Sequence, residues 1–224
     1  LPTSMTACTQ FSIQNTAVKK ITLPTLPTSL TLLNITQNPL LETISNMPTT
    51  TNIGSFVNAF FGNFSLRSII LPTNVNAGVT TYSGCFQNCH SLESVVFPTT
   101  QCTAASGNLS NLFYNCSSLT SVTNFDKIQT NNATPVISAD GMFTLLLPGL
   151  TFSVRLTKVS FAGIVTTHQN QLTSLRLLNT SATVQWGGTS PQVNVSYTNI
   201  TYANLVQLFN DIAAGGTYTG KTIN

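Results

Sequence analysis

Charged residues are scarce in this chain. They make up 6% of its 224 residues, with 8 Lys and Arg against 5 Asp and Glu, whereas about a quarter of an average globular chain is charged. Proteins bind nucleic acid chiefly through contacts of Lys and Arg with phosphates, and Lys19-Lys20 is the one basic cluster here. We therefore expect no nucleic-acid partner. The five carboxylates also leave little material for acid and base catalysis.

Long hydrophobic runs are missing as well. No apolar stretch reaches the roughly 18 residues that a membrane-spanning helix needs, and the longest candidate, residues 142–154, is broken by Pro148-Gly149. We therefore predict no membrane span. The chain begins with Leu1 rather than with methionine, and we interpret it as a piece of a longer protein, so any targeting signal would lie outside it.

Ligand patterns for metals and cofactors are absent from the sequence. No C-x-x-C pair occurs among the five cysteines, and neither His90 nor His168 has ligand spacing. The chain also has no phosphate-binding loop and no G-x-S-x-G elbow. We therefore predict no cofactor, no metal site and no enzymatic activity.

What the chain does contain is an internal repeat. Segments 60–72, 86–98 and 113–125 share the pattern F-x-N-C-x-S-L-x-S-V, with Phe64 or its neighbour Asn63 at the cysteine position of the first segment. The equivalent residues Leu66, Leu92 and Leu119 recur with a period of about 26 residues. A period in the twenties is typical of a solenoid, because one unit cannot bury its own apolar face and must stack on its copies.

Weaker copies extend the repeat in both directions. Upstream, residues 41–48 match the second half of the first segment, so Leu41 joins the series of leucines. Downstream, Leu172 lies two periods after Leu119, and we place one degenerate unit between them, around Phe143 and residues 150–154. We predict a solenoid over residues 1–180, clearest over 38–125.

The spacing L-x-x-V-x-F predicts a short parallel strand in each unit. In the segment 86–98, Leu92, Val95 and Phe97 would face the core, while Glu93, Ser94 and Val96 would face outward. The proline that follows cannot donate a ladder hydrogen bond and would end the strand. Residues 109–115 have helical spacing over little more than one turn. These patterns predict an α/β solenoid with one short-stranded parallel sheet and irregular or short helical outer segments.

The repeat resembles the Treponema-type, or BspA-like, leucine-rich repeat, whose units read roughly A-F-x-x-C-x-x-L-x-x-I-x-I-P. Residues 56–125 carry the match. The resemblance implies a curved leucine-rich-repeat stack, of the kind found in bacterial surface adhesins, in some protist surface proteins and in bacteriophage virion proteins. It does not imply one particular ligand.

Cys89 and Cys116 occupy the same position in successive units. We interpret this position as a small buried hydrophobic site, a role that free cysteine fills well. A disulfide between the two stays open as an alternative, because neighbouring parallel strands lie about 4.8 Å apart. Cys89 and His90 could suggest a nucleophile and its base, but adjacent residues project in different directions, which disfavours that interpretation.

The C-terminal part of the chain, residues 181–224, departs from the repeat. Apolar residues at 202, 205, 206, 209 and 212 fall on one helix face, with Thr201 as the predicted N-cap and Gly215-Gly216 as the stop. We predict a helix at about 202–213 that caps the last open core of the solenoid. This segment also resembles the closing segment that follows such repeats in phage structural proteins.

Six outward positions on the sheet form the candidate binding face: Glu42, Arg67, Glu93, Ser94, Thr120 and Ser121. Glu42, Arg67 and Glu93 fall at equivalent positions, so we expect an alternating cross-strand ion ladder. The separation of Glu42 and Glu93, about 10 Å across two strands, would also suit an inverting glycosidase, although Arg67 between them favours the ladder. A solvated sheet that makes only assembly contacts is the alternative.

Composition and resemblance together lead to a functional hypothesis. A neutral surface rich in Ser, Thr and Asn suits dense protein assemblies and exposed exteriors. We expect a non-enzymatic component of a bacteriophage virion, on the head or the tail, that serves assembly and host-surface attachment. A secreted BspA-like bacterial adhesin is the alternative. The expected partners are other virion or surface proteins in a homo-oligomer or larger assembly, with a host receptor or glycan as a further partner, at the virion surface or the cell exterior.

Overall fold

The structure is a computed structural model. It describes residues 3–75, 81–99, 109, 111–124 and 200–214, together with the strands at 137–139, 150–152, 156–160, 175–177, 192–194 and 222–223. The chain winds into a parallel-strand β-solenoid of about four turns, with a short helix near the C-terminal end. The solenoid predicted from the repeat is confirmed.

The described residues contain thirteen strands and one helix. In chain order these are β1 Gln10–Gln14, β2 Lys20–Thr22, β3 Leu32–Thr36, β4 Thr43–Ser45, β5 Ser68–Ile70, β6 Ser94–Val96, β7 Ser121–Thr123, β8 Ile137–Ala139, β9 Leu150–Phe152, β10 Leu156–Ser160, β11 Leu175–Leu177, β12 Gln192–Asn194, α1 Tyr202–Ala214 and β13 Thr222–Ile223.

The predicted sheet runs along one wall of the solenoid, and we call it the front wall. It consists of the pair β2-β4 and the three-stranded sheet β5-β6-β7, all parallel. The two parts meet where the Arg67 N–H donates to the Glu42 carbonyl over 3.3 Å. A second wall, which the repeat pattern did not predict as strand, carries the parallel pair β1-β3; we call it the back wall.

Each strand of the front wall turns its central residue into the core. These residues are β-branched, which suits a strand packed on one face; they are Ile21, Ile44, Ile69, Val95 and Val122, aligned by the strand register. The first and third residues of each strand lie on the outer side, as the alternation of a strand requires.

A single file of leucines runs behind the front wall. Leu41, Leu66, Leu92 and Leu119 are each 0% exposed. Each leucine amide donates to the carbonyl three residues earlier, at 3.0 to 3.2 Å, so that the same turn delivers the same side chain in every coil. The predicted buried file is therefore confirmed.

The back wall continues past β3 as successive tight turns rather than as helices. Asn111 and Asn115 have φ of 57° and 59°, in the left-handed region, and such residues end a right-handed helix. The short helix considered for residues 109–115 is therefore not formed by the part of that segment that the structure describes.

A residue with a left-handed backbone conformation recurs at one corner of each coil, so the number of residues between successive corners gives the length of each coil. Asn15, Gln37, Gly62, Asn88 and Asn115 occupy the same corner of successive coils, each with positive φ. Backbone bonds from Asn15, Gln37, Gly62 and Asn88 to the following coil, at 2.8 to 3.2 Å, align them. Each interval between successive corners is longer in sequence than the one before it, so the coils lengthen along the chain.

Aromatic rings stack in the core of the longer coils. Phe60, Phe86 and Phe113 are buried, and their ring centroids are 5.5 and 5.6 Å apart along the stack. Phe97 approaches Phe86 and Phe113 edge-on from the front wall, at 6.3 and 6.2 Å. Both arrangements are favourable geometries for aromatic pairs, and they join the two walls.

The cysteine position of the repeat forms a buried polar column, which starts with Asn38 and Asn63. Asn63 Nδ2 donates to the carbonyls of Ile35 and Phe60, at 2.6 and 2.8 Å. Asn63, rather than Phe64, therefore occupies the cysteine position in the first segment. One coil further, the Cys89 thiol donates to the same Phe60 carbonyl at 3.1 Å.

Cys89 and Cys116 are buried free thiols, as the interpretation of a small buried site predicted. Cys116 donates to the carbonyl of Phe86 at 3.0 Å, one coil after Cys89 makes the equivalent bond. The alternative of a disulfide between the two cysteines is wrong.

Parallel winding continues beyond residue 124. Leu150 of β9 and Leu175 of β11 are register partners, and β13, β12, β10 and β8 form a four-stranded parallel sheet. Of the degenerate unit expected around Phe143 and residues 150–154, residues 150–152 form β9, while Phe143 lies outside the described residues, as do Gly215-Gly216, Cys102 and His168.

Helix α1 spans Tyr202–Ala214, close to the predicted bounds. Thr201 caps it, since its Oγ1 accepts the Asn204 N–H at 3.3 Å. The face predicted to be buried is wrong: Leu208 is fully buried, whereas Tyr202 is 84% exposed and Val206 and Phe209 are exposed. Helix α1 lies against β11, and it turns the neighbouring stripe of Leu205 and Leu208 toward the core. Leu205 belongs to both stripes, so the helix is rotated relative to the prediction.

Candidate binding face

The predicted outward residues of the repeat do line up. Backbone bonds connect Glu42 to Arg67, Arg67 to Glu93 and Glu93 to Thr120, with N···O distances of 3.3, 2.7 and 2.9 Å. These residues immediately precede β4, β5, β6 and β7, so each coil places its residue at the same edge of the front wall. The structure therefore brings all four into one row.

Lys19 extends this row by one coil. The Glu42 N–H donates to the Lys19 carbonyl at 2.8 Å, and Lys19 directly precedes β2 as Glu42 precedes β4. Sequence reasoning missed Lys19 because the first coil is shorter and has Val18 in place of the repeat's leucine, although Leu23-Pro24 follows its strand as Leu71-Pro72 follows β5. Its place before an apolar-centred tripeptide, Lys20-Ile21-Thr22, was the available signal. We call Lys19, Glu42, Arg67 and Glu93 the charged column.

The expected ion ladder is formed at one of its two steps. Arg67 Nη1 lies 3.4 Å from Glu93 Oε1, with the two side chains 67% and 56% exposed. Glu42 is half-buried and makes no ion pair with any described residue. This step coincides with the break between the two parts of the front wall, since β4 and β5 belong to different sheets whereas β5 and β6 are paired. An exposed pair such as Arg67–Glu93 contributes roughly 0 to 1 kcal/mol.

Small hydroxyl side chains line the front wall beside the charged column. Ser94 and Ser121, both predicted for the face, are register partners on β6 and β7, and Ser68 continues the row on β5. Ser121 is exposed and Ser94 is half-buried. The Thr120 hydroxyl donates to the Glu93 carbonyl at 3.2 Å. This row offers hydroxyl groups at the spacing of neighbouring strands.

Apolar side chains border the charged column on both sides. Ile70, at the end of β5, is 63% exposed. On the opposite side, Phe64 is exposed and stacks on His90 with ring centroids 5.2 Å apart, and Leu40 is exposed one coil earlier. Of these residues, Ile70 holds a position that the strand alternation turns outward, whereas Phe64 and Leu40 precede the strands and were not predicted to be exposed. The face therefore combines charge, hydroxyl groups and exposed apolar surface.

The thiols behind the face are not activated. Burial raises the pKa of Cys89 to about 12 and also raises the pKa of Cys85 and Cys116. A nucleophilic cysteine requires the opposite, a thiolate at neutral pH. His90 points outward against Phe64 and does not face the buried Cys89. The two residues therefore do not form a nucleophile and base.

The carboxylates of the face show no sign of acid and base pairing. Arg67 lies between Glu42 and Glu93 in the charged column and is bound to Glu93. Among the described residues, no group of three His, Cys, Asp or Glu side chains could hold a metal ion. What the face offers is contact: complementary charge, hydroxyl groups and apolar surface.

Comparisons of the chain with models of protein families, with curated proteins and with solved structures found no match. Within the described residues, none of the helical structure has the length and apolar character to cross a bilayer.

Proposed function

We propose that this chain is a non-enzymatic repeat protein of an exposed biological surface, a component of a bacteriophage virion that works through the outer side of its front wall. The observation that carries the proposal is the distribution of its side chains between the core and the outer surface. The thiols of Cys85, Cys89 and Cys116 are buried and their pKa values are raised, while the front wall presents hydroxyl groups, paired charge and apolar borders. Such a surface is suited to contact rather than to bond making.

The low charge of the coils supports a place in a protein assembly. Across the described side chains, the charged residues are Lys19, Lys20, Glu42, Arg67 and Glu93. A nearly neutral surface of this kind does not repel a dense array of similar proteins. The resemblance of the repeat to the BspA-like leucine-rich repeat, found in virion and surface proteins, points in the same direction.

A secreted adhesin of the BspA-like type is the second candidate. The exposed Phe64–His90 stack favours it, because an aromatic plane at the edge of a row of hydroxyl groups is a common contact surface for sugars and for protein side chains. Both candidates use the same face, and they differ in the particle or cell that carries the chain.

Localisation tests the proposal directly. An antibody against this chain would be applied to density-gradient fractions of the source culture, separating virus-like particles, cell envelopes and soluble cell contents. We expect the chain to be in the particle fraction and open to added protease. Recovery in the envelope fraction would establish the adhesin instead, and recovery only among soluble contents would contradict both.

Substitutions on the two walls test the face. The double variant Ser94→Arg, Ser121→Arg places two large cations on the front wall, and Val57→Arg places one on the exposed back wall. We expect the front-wall variant to lose incorporation into particles or attachment to cells, and Val57→Arg to keep it. Equal behaviour of the two would contradict the assignment of the face.

A further inference from the structure

Four charged side chains of the described coils lie in one row. Of the five charged side chains described, all except Lys20 belong to the charged column. Their order along it is positive, negative, positive, negative: Lys19, Glu42, Arg67, Glu93. In a chain that is 6% charged, an alternating row of four charges at the edge of one wall has a physical consequence for what can contact that wall.

The charges of the column, read from Lys19 to Glu93, are opposite in sign to the same charges read from Glu93 to Lys19. If a second column runs antiparallel to the first, Lys19 faces Glu93 and Glu42 faces Arg67, and the other two positions repeat these pairs by symmetry. A contact between two copies related by a two-fold axis pairs residues in this way, because residue i of the first copy meets residue j of the second and residue j of the first meets residue i of the second. Both columns have the same spacing, about 4.8 Å per coil, so the four pairs form in register.

We propose that the charged column is the contact between two copies of this chain, related by a two-fold axis that passes between Glu42 and Arg67. The inference rests on the proposed function in using the outer side of the front wall for contact, and it names the partner. Glu42 and Lys19, which form no ion pair with any described residue of their own copy, gain Arg67 and Glu93 of the second copy.

Apolar residues around the column supply the surface that such a contact buries. Nine large hydrophobic residues are exposed among the described residues, and four lie within three residues of a member of the charged column: Val18, Leu40, Phe64 and Ile70. Exposed ion pairs alone add little affinity, whereas they set register and exclude wrong alignments. In the dimer the apolar border provides affinity, and the alternating charges select the antiparallel alignment.

Two single variants make the alignment testable. In Glu42→Arg, the signs become positive, positive, positive, negative, and the antiparallel dimer places the introduced arginine against Arg67 twice. In Arg67→Glu, they become positive, negative, negative, negative, and Glu42 meets the introduced glutamate twice. Each variant alone repels itself, but a mixture of the two is complementary at all four positions.

Sedimentation velocity on the purified chain provides the measurement. We expect the wild-type chain to dimerise, each single variant to dimerise at least about tenfold more weakly, and an equimolar mixture to recover the dimer as a heterodimer. The double variant Glu42→Arg, Arg67→Glu in one chain is also complementary to its own reverse and should dimerise. Wild-type dimers should weaken toward roughly 1 M salt, where the Debye length is about 3 Å.

Controls separate the contact from folding. Val57→Arg adds a cation on the back wall, away from the charged column, and should dimerise as the wild type does. Circular dichroism confirms that each variant is folded, and the mixture recovers dimer only if both variants are. A monomeric wild-type chain, or a mixture without heterodimer, would overturn the proposal.

The outcome is independent of the localisation experiment. A monomeric chain found in the particle fraction would refute the two-fold contact and leave the proposed function standing. A dimeric chain found only among soluble cell contents would do the reverse.

Discussion

Replacing Leu92 by alanine tests the central feature of the fold, the buried leucine file. Leu92 is 0% exposed, with Leu66 and Leu119, equally buried, in the coils on either side. Alanine removes three carbon atoms, worth roughly 0.8 kcal/mol each on transfer from water. The rigid neighbouring coils cannot close the space, so a cavity term is added, and we expect a loss of about 3 to 4 kcal/mol in the free energy of unfolding.

The adjacent residue provides the matched control. Glu93 follows Leu92 directly but faces solvent, and Glu93→Ala removes only its exposed ion pair with Arg67. We expect this change to cost at most about 1 kcal/mol.

Urea unfolding followed by far-ultraviolet circular dichroism measures both variants, with the midpoint compared at equal slope. The reasoning fails if the two substitutions have similar small effects, or if Glu93→Ala costs more than Leu92→Ala. Either result would mean that Leu92 does not lie in a closed core.

Three further predictions concern the buried polar column and the turns. Asn63→Ala should cost about 2 to 3 kcal/mol, because the carbonyl of Ile35 loses a donor in the core, whereas Asn63→Cys, which copies the next coil, should cost less in the same unfolding assay. The pKa of Cys89 is raised from 9.0 to about 12 in the folded chain, so between these pH values the folded chain keeps a proton that the unfolded chain loses. The free energy of unfolding is therefore unaffected by this thiol below pH 9. Between pH 9 and 12 it falls by up to about 1.4 kcal/mol per pH unit. Unfolding curves across that interval should show a shallower decline in Cys89→Ala, and an equal decline would contradict the protonated, buried thiol. Gly84→Ala should destabilise the fold more than Gly62→Ala, since both glycines have positive φ but only at Gly84 would a Cβ collide with Asn58 Oδ1. Thermal melting measures both variants, and a lower melting temperature for Gly62→Ala would contradict the prediction.

The repeat predicts the front wall because its physical cause is local and periodic. A leucine that recurs once per period, followed by an apolar-centred tripeptide, must place equivalent side chains in one file once the coils stack. Leu66, Leu92 and Leu119 behave accordingly. The alignment of Glu42, Arg67 and Glu93 follows from the same register, and for that reason it could be predicted from spacing alone.

The back wall and the helix orientation could not be predicted in this way. Asn111 and Asn115 suit both a helix surface and a left-handed turn, and the choice between them depends on hydrogen bonds to the neighbouring coil. In α1, Leu205 belongs to two adjacent apolar stripes, and the neighbouring coil selects the one with Leu208. In both cases contacts that are distant in sequence decide the outcome.

The candidate face was predicted in its polar part only. Positions that alternate outward from a strand identify Ser94 and Ser121 regardless of their neighbours. The same alternation turns Ile70 outward, as it does its register partner Val96. Phe64 lies before the strand, so the alternation does not predict its exposure. Lys19 was missed since its coil is shorter than the period of the central repeats.

The lengthening of the coils gives the molecule a direction. Because each interval between equivalent corners exceeds the previous one, the described coils widen from one end toward the other, as in a tapered stack of rings. Two such stacks placed end to end would meet a narrow rim with a broad one, leaving part of the broad core open to water. A taper of this kind discourages growth into fibres and leaves the flanks as the natural place for copies to meet.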